Sequence, residues 1–185
     1  MRIVGGKFKG RDLTSPGEFR VRPTAENVRG AMLDMLAPHL EKARVLDLFA
    51  GSGALGLEAM SRGASRADFV EWHPPALHSL KANIATLRLL RMTRVFTKDA
   101  VPFAAALSPD TYDIAFADPP YGSKMLDMVI ERWHSNHFSR ILAVEHASTH
   151  RVPAGAKRKV FDETAVTIYE RKGGTAGADI QLRSG

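Results

Sequence analysis

A chain of 185 residues, 44% of them hydrophobic, is long enough for one domain with a full core, and its lack of cysteine excludes disulfides and thiolate metal sites. There is no run of about 18 apolar residues to form a membrane span, and the N-terminus lacks a signal peptide's apolar core, so a cytoplasmic protein is expected. The net charge of +6 favours a polyanionic partner, because neutralising phosphates releases counterions.

The N-terminal stretch Arg2 to Leu13 predicts a short β-hairpin, with Gly5-Gly6 and Gly10 supplying turn conformations. Lys7, Phe8 and Lys9 interleave an aromatic ring with cations, a pattern that suits stacking and phosphate contact. Residues 1 to 30 hold seven basic groups (Arg2, Lys7, Lys9, Arg11, Arg20, Arg22, Arg29) against three acids. Two further basic clusters follow, Arg88-Arg91-Arg94-Lys98 and Lys157-Arg158-Lys159. Each alone could be a solvated face; three in one small domain favour nucleic acid. After a polar loop over Thr14 to Phe19, Thr24 is placed to cap a helix. Val28, Ala31, Met32, Met35 and Leu36 form that helix's apolar stripe, and Pro38 is expected to end it. Residues 1–40 thus read as an N-terminal hairpin and helix extension on the nucleic-acid-binding side, residues 41–172 as the central domain.

The central domain opens with a buried strand, Arg44 to Leu48, a glycine turn and a helix from about Ala54. Gly51, Gly53 and Gly56 have G-x-G-x-x-G spacing, which brings backbone close to a nucleotide-like ligand at a helix N-terminus. Asp47 lies four residues before the first glycine, and Glu71 ends the next strand (Ala67 to Glu71), where a carboxylate can accept from ribose hydroxyls. A dehydrogenase would use such a turn for pyrophosphate. An S-adenosylmethionine enzyme would use it for the methionine part, whose ammonium suits an acid such as Asp47. The chain then alternates: helix Pro74 to about Leu90, strand Thr93 to Thr97 ending at Asp99, helix Val101 to Leu107, strand Asp113 to Ala117, helix Met125 to His134, strand Arg140 to Glu145. Lys159 to Phe161 and Ala165 to Arg171 look like a terminal antiparallel pair, and Gly173 to Gly185 is expected to be disordered. This alternation predicts an α/β fold with a mainly parallel seven-stranded sheet, an antiparallel C-terminal strand and helices on both faces.

Asp118-Pro119-Pro120-Tyr121 follows the fourth strand directly and should face the same cleft as the glycine turn, since ligands of open α/β sheets bind beyond the strands' carboxyl ends. The prolines stiffen the turn and remove N–H groups, leaving acceptors: the Asp118 carboxylate and the Pro119 carbonyl. Tyr121 adds an aromatic plane. Two acceptors beside a flat face suit a base bearing an exocyclic amine, whose lone pair is freed for attack when both N–H bonds are held. The plainer reading is a strand-ending turn with a capping aspartate.

These residues resemble class I S-adenosylmethionine-dependent methyltransferases acting on amino groups of bases: Val45 to Glu58 as the cofactor loop, Asp118 to Tyr121 as the catalytic loop. Ile3-Val4-Gly5-Gly6, Lys9-Gly10-Arg11, Arg22-Pro23-Thr24 and Asp47 to Gly56 narrow the resemblance to the RsmD family, the bacterial 16S ribosomal RNA guanine-N2 methyltransferases. The likeness covers about residues 1 to 172 and implies a Rossmann-like methyltransferase fold. It implies a cofactor site of Asp47, Phe49, Gly51, Gly53, Glu71, Asp99, Ala100 and Asp118; catalysis by Asp118, Pro119 and Tyr121; and RNA contacts by Lys7, Lys9, Arg11, Arg22 and Thr24. S-adenosylmethionine is the implied cofactor, and 16S rRNA, within an assembling 30S subunit, the implied partner. Neither metal nor membrane is expected, and the protein is expected to be a monomer. Trp72, after Glu71, is open between an adenine wall and a core role. The other readings are a DNA adenine-N6 or cytosine-N4 methyltransferase, a non-catalytic RNA-binding protein with a nucleoside pocket, and a nicotinamide dehydrogenase, which would need a hydride-site acid or base in place of the Asp118 turn.

Overall fold

The computed structural model describes residues 1–16 and 23–171. Arg22 and the glycine-rich tail lie outside the described residues, as does the side chain of Thr24. Seven strands form one sheet in the order β3-β2-β1-β4-β5-β7-β6. Strands β1 (Arg44–Asp47), β2 (Arg66–Val70), β3 (Thr93–Phe96), β4 (Tyr112–Ala117) and β5 (Ser139–Ala147) are parallel, and β7 (Thr164–Glu170) runs antiparallel between β5 and β6 (Lys157–Phe161). This is the mainly parallel sheet with an antiparallel C-terminal strand that the alternation predicts.

The helices cover both faces because the central strands bury both sets of alternating side chains. Val45, Phe69, Ile114, Phe116 and Ile141 point to one core with Val28 and Met32 of α1 (Pro23–Met35), Leu57 of α3 (Ala54–Ser61) and Leu80 and Ile84 of α4 (Pro74–Thr86). Their sequence neighbours Leu46, Val70, Ala115, Ala117 and Leu142 point to the other, with Ala104 of α5 (Ala100–Ala105) and Val129 and Trp133 of α6 (Met125–Asn136). Ile3 and Leu13 also belong to the first core, so the N-terminal segment shares the central domain's interior.

Four local expectations change. The N-terminal hairpin is a hydrogen-bonded loop with a single bridge, Arg2 to Asp12, around a 3-10 turn at Gly6–Phe8. Thr24 is the second residue of α1, not its cap. Pro38 does not stop α1, which ends at Met35; it lies in the first turn of the short α2 (Ala37–Leu40), where its missing N–H costs nothing. The helix read as far as Leu90 ends at Thr86, because Arg88 adopts a left-handed φ of 58° that breaks the ladder.

Gly56 sets how closely α3 approaches the sheet. A Cβ there would lie 2.4 Å from Cε1 of the fully buried Phe69. Gly56→Ala gains about 1 kcal/mol of helix propensity but overpacks a ring with nowhere to go, which costs about 1–3 kcal/mol. A net fall of a few degrees in Tm is expected by thermal unfolding; an unchanged or higher Tm would mean the helix moves away freely.

Candidate active site

The sheet order reverses between β1 and β4, so the chain segments leaving these strands diverge and open a crevice at the carboxyl edge. Backbone bonds tie the departing loops together: Leu48 N–H donates to Phe116 O (3.1 Å), Ala50 N–H to Val70 O (3.1 Å) and Glu71 N–H to Phe96 O (3.1 Å). Each of the five parallel strands has a carboxylate at or near its carboxyl end: Asp47, Glu71, Asp99, Asp118 and, two residues before the end of β5, Glu145.

The glycine turn needs its glycines. Gly51 and Gly53 have φ of 55° and 84°, and Gly53 precedes α3 directly. A Cβ at Gly53 would strike Leu80, whereas one at Gly51 would meet open space, so Gly51 faces the crevice. Glu71 holds this loop: its Oε2 accepts from Gly51 N–H (2.8 Å), and its Oε1 from Trp72 and His73 N–H (2.8 Å each). A carboxylate has about four acceptor positions, so one remains for a ligand hydroxyl. Trp72 is 65% exposed, which removes the core role considered for it.

Asp47 is buried at the end of β1. Its Oδ2 accepts from Gly56 N–H (3.0 Å), joining strand end to helix start. Its Oδ1 is buried with no hydrogen-bond partner among the described residues. Burial raises the Asp47 pKa to about 7, against the opposing Gly56 hydrogen bond and with the Glu71 charge adding to the rise. An orphaned carboxylate oxygen in this position fits a cationic ligand group such as an ammonium. Phe49, partly buried, packs on the second core; Asp99 caps α5 by accepting from Val101 N–H (3.0 Å), and Ala100 behind it is buried.

Across the crevice, Pro119 is buried, Asp118 half-buried and Tyr121 47% exposed. Among the described residues none donates a hydrogen bond to Asp118. Burial, then the charges of Glu145 and Asp47, push its carboxyl well above the usual range. Asp47 ends β1 and Asp118 follows β4, and these strands pair in parallel, so both carboxylates stand at the same carboxyl edge of the sheet. The Tyr121 hydroxyl shares a 2.8 Å hydrogen bond with Thr164 Oγ1, which fixes the ring's tilt.

Sequence reasoning passed over Glu145. It lies on β5 one residue beyond the Val144 that pairs with Ala117, and its Oε1 is 3.5 Å from the Tyr121 hydroxyl. The signal was present: Glu145 follows an apolar run, Ile141 to Val144, as Asp47 and Glu71 follow theirs.

The basic residues are dispersed. Lys7 and Lys9 sit at the far end of α3, where Phe8 N–H donates to Ser61 Oγ (2.8 Å). An eight-residue helix spans about 12 Å, so the length of α3 separates this loop tip from the glycine turn. The same segment then climbs back: Thr14 N–H donates to Asn83 Oδ1 (2.8 Å), and Asn83 Nδ2 donates to Ser52 O (2.9 Å) in the turn. Exposed Arg11 lies between. Arg29 is no surface cation: it is 3% exposed, with Nε 3.6 Å from the buried Glu58. Arg94 is paired with Asp68, and Lys157, Arg158 and Lys159 lie on the edge strand β6. Among the described residues no group of three or more histidine or acidic side chains could hold a metal ion, and no helix is long and apolar enough to cross a membrane.

The family described as conserved hypothetical protein 95 matches residues 1–170. The Escherichia coli ribosomal RNA small subunit methyltransferase D is 34% identical, over 97% of this chain and 94% of that protein. The solved structure of the Escherichia coli yhhF protein is 35% identical, with a TM-score of 0.80 over 93% of this chain and 98% of that one. A Thermus thermophilus 16S rRNA N2 G1207 methyltransferase, RsmC, solved with AdoMet and guanosine, shares the fold at 18% identity, with a TM-score of 0.66 over 84% of this chain and 45% of that one. With a class I methyltransferase fold and this match along nearly its whole length, the chain belongs to the ribosomal RNA small subunit methyltransferase D family.

Proposed function

We propose that this protein transfers a methyl group from S-adenosylmethionine to the exocyclic N2 amine of a guanine in 16S rRNA, acting as a monomer on an assembling 30S subunit. The observation that carries the reading is the meeting of the Gly51 turn and the Asp118–Tyr121 turn on either side of the β1–β4 divide. S-adenosylmethionine, when bound, supplies a methyl group on a sulfonium that departs as a neutral thioether. Asp47 and the Gly51–Gly53 backbone would hold its methionine part, Glu71 its ribose, and Asp99 with Ala100 the adenine edge.

The chain's own chemistry lies in the Asp118 turn. The target base must leave its stack to enter the crevice. Tyr121 would stack on it, while the Asp118 carboxylate and the Pro119 carbonyl accept the two N2–H bonds. Held this way, the nitrogen lone pair is released from the ring and points at the methyl carbon. As the N–C bond forms and the S–C bond breaks, an N2 proton passes to Asp118, whose raised pKa suits it to receive one. Exposed Lys7, Lys9 and Arg11, together with Arg22 and Thr24, would bind phosphates of the surrounding RNA, Lys7 and Lys9 well away from the base itself.

The test is transfer of tritiated methyl groups to 30S subunits lacking the modification, to protein-free 16S rRNA and to duplex DNA. Label on N2 of one guanine in ribosomal RNA is expected, and DNA should stay unlabelled. Label in DNA, or on adenine N6 or cytosine N4, would overturn the assignment.

A further inference from the structure

A small recess of about 20 Å³ opens beside the Asp118 turn, lined by Pro119, Pro120, Tyr121, Ser123, Glu145 and His146 among others. Glu145 is the one carboxylate in its lining. The two histidines there are engaged elsewhere: His146 Nε2 with Thr167 Oγ1 (2.9 Å), and His150 Nε2 with Asp127 (2.8 Å). Among the described residues the side-chain hydrogen bond that Glu145 accepts is long, 3.5 Å from the Tyr121 hydroxyl, which sits closer to Thr164. Ser123 Oγ, in the same lining, is buried with no hydrogen-bond partner among the described residues. The recess therefore has a flat apolar wall, an acceptor with spare capacity and an unsatisfied hydroxyl.

A base seated against Tyr121 with its exocyclic amine on Asp118 and Pro119 would lie beside β5, the strand paired with β4, where Glu145 stands one residue beyond the Val144–Ala117 pair and could meet its next edge atom. In guanine that atom is N1, which carries a hydrogen; the atom beyond it is the O6 carbonyl. In adenine and 2-aminopurine N1 is a bare acceptor, which a carboxylate repels. We propose that Glu145 is a specificity-determining residue that reads the base as guanine, its carboxylate accepting the N1–H. This inference rests on the guanine-N2 reading above. Burial raises the Glu145 pKa, while the Tyr121 hydrogen bond and the charge of the buried Arg29 favour its ionised form. A site built to accept an N–H rejects an analogue lacking it, because the acceptor is left unpaired.

The test compares guanine with 2-aminopurine, which keeps the 2-amine but has no N1–H, placed at the mapped target position in semi-synthetic 16S RNA assembled into 30S subunits. The wild-type protein is expected to prefer guanine strongly. In Glu145→Gln the side-chain amide can donate to a bare N1, so the guanine-to-2-aminopurine ratio of kcat/KM should fall by about 10- to 100-fold. Affinity for S-adenosylmethionine should not change. Glu145→Ala should lower the same ratio through the guanine rate alone, which keeps the test standing if the glutamine variant folds poorly. A merely structural role would slow both substrates equally, and an unchanged ratio in soluble variants would overturn the proposal. Absence of N2 methylation by the wild-type protein would instead bring down the underlying reading, and this one with it.

Discussion

Asp118→Ala is expected to lower the rate of methyl transfer by about 10³-fold or more while S-adenosylmethionine still binds within a few-fold of wild type. The alanine removes one of two acceptors that hold the amine, and the proton's destination with it. Losing one preorganised partner of this kind costs about 10²–10³ in rate, and losing the base adds to that. Misfolding would not explain the loss. The Asp118 carboxyl is pushed well above its usual pKa by burial and by Glu145 and Asp47, so its ionised form opposes folding and the variant should be at least as stable at neutral pH. The pH profile gives a second reading. Transfer needs the ionised carboxylate, so the rate should fall as pH drops through the raised Asp118 pKa. Replacing the neighbouring charge by Glu145→Gln should move that acid limb to lower pH. Tritium transfer and calorimetry check both statements; wild-type turnover in Asp118→Ala would remove Asp118 from the chemistry.

What could be read from the sequence was whatever depends on local chemistry. The glycine spacing after an apolar strand, the acid closing the next strand and the proline-stiffened turn each have one conformation that suits them, so their relative placement followed once the strands were taken as parallel. The seven strands were legible because Val45-Leu46 and Ile114 to Ala117 are apolar at consecutive positions, a pattern of strands buried on both faces. Contacts made across the fold were not legible. Nothing near Arg29 announces that it is buried beside Glu58, 29 residues further along. The packing of the basic loop at Lys7 was not legible either: its place is fixed by Ser61, at the end of α3 away from the glycine turn. Glu145 drew no attention because a single acid at a strand end is ordinary; it gains meaning only from the recess that β4 and β5 make together.

Asp47→Asn is expected to make the free protein more stable at pH 8 and to abolish its response to cofactor. The carboxyl titrates at about 7 in the folded chain against 3.8 for the ordinary group. Below pH 3.8 both states are protonated and burial carries no charge penalty; from 3.8 to about 7 the unfolded chain ionises while the folded one holds its proton, so stability falls across that range and levels off above 7. That shift corresponds to a penalty of about 3–5 kcal/mol at pH 8. An asparagine has no charge to bury and can still accept from Gly56 N–H, though its amide hydrogens then lack acceptors, at about 1–3 kcal/mol. The balance is a gain of a few kcal/mol at pH 8 and none, or a loss, at pH 4. Thermal unfolding at the two pH values should show Tm rising only at the higher one. The same orphaned oxygen that weakens the free protein is the one available to an ammonium, so S-adenosylmethionine should raise the wild-type Tm and leave that of Asp47→Asn unmoved. A variant that gains stability equally at both pH values, or still responds to the cofactor, would show that Asp47 serves only to fasten β1 to α3.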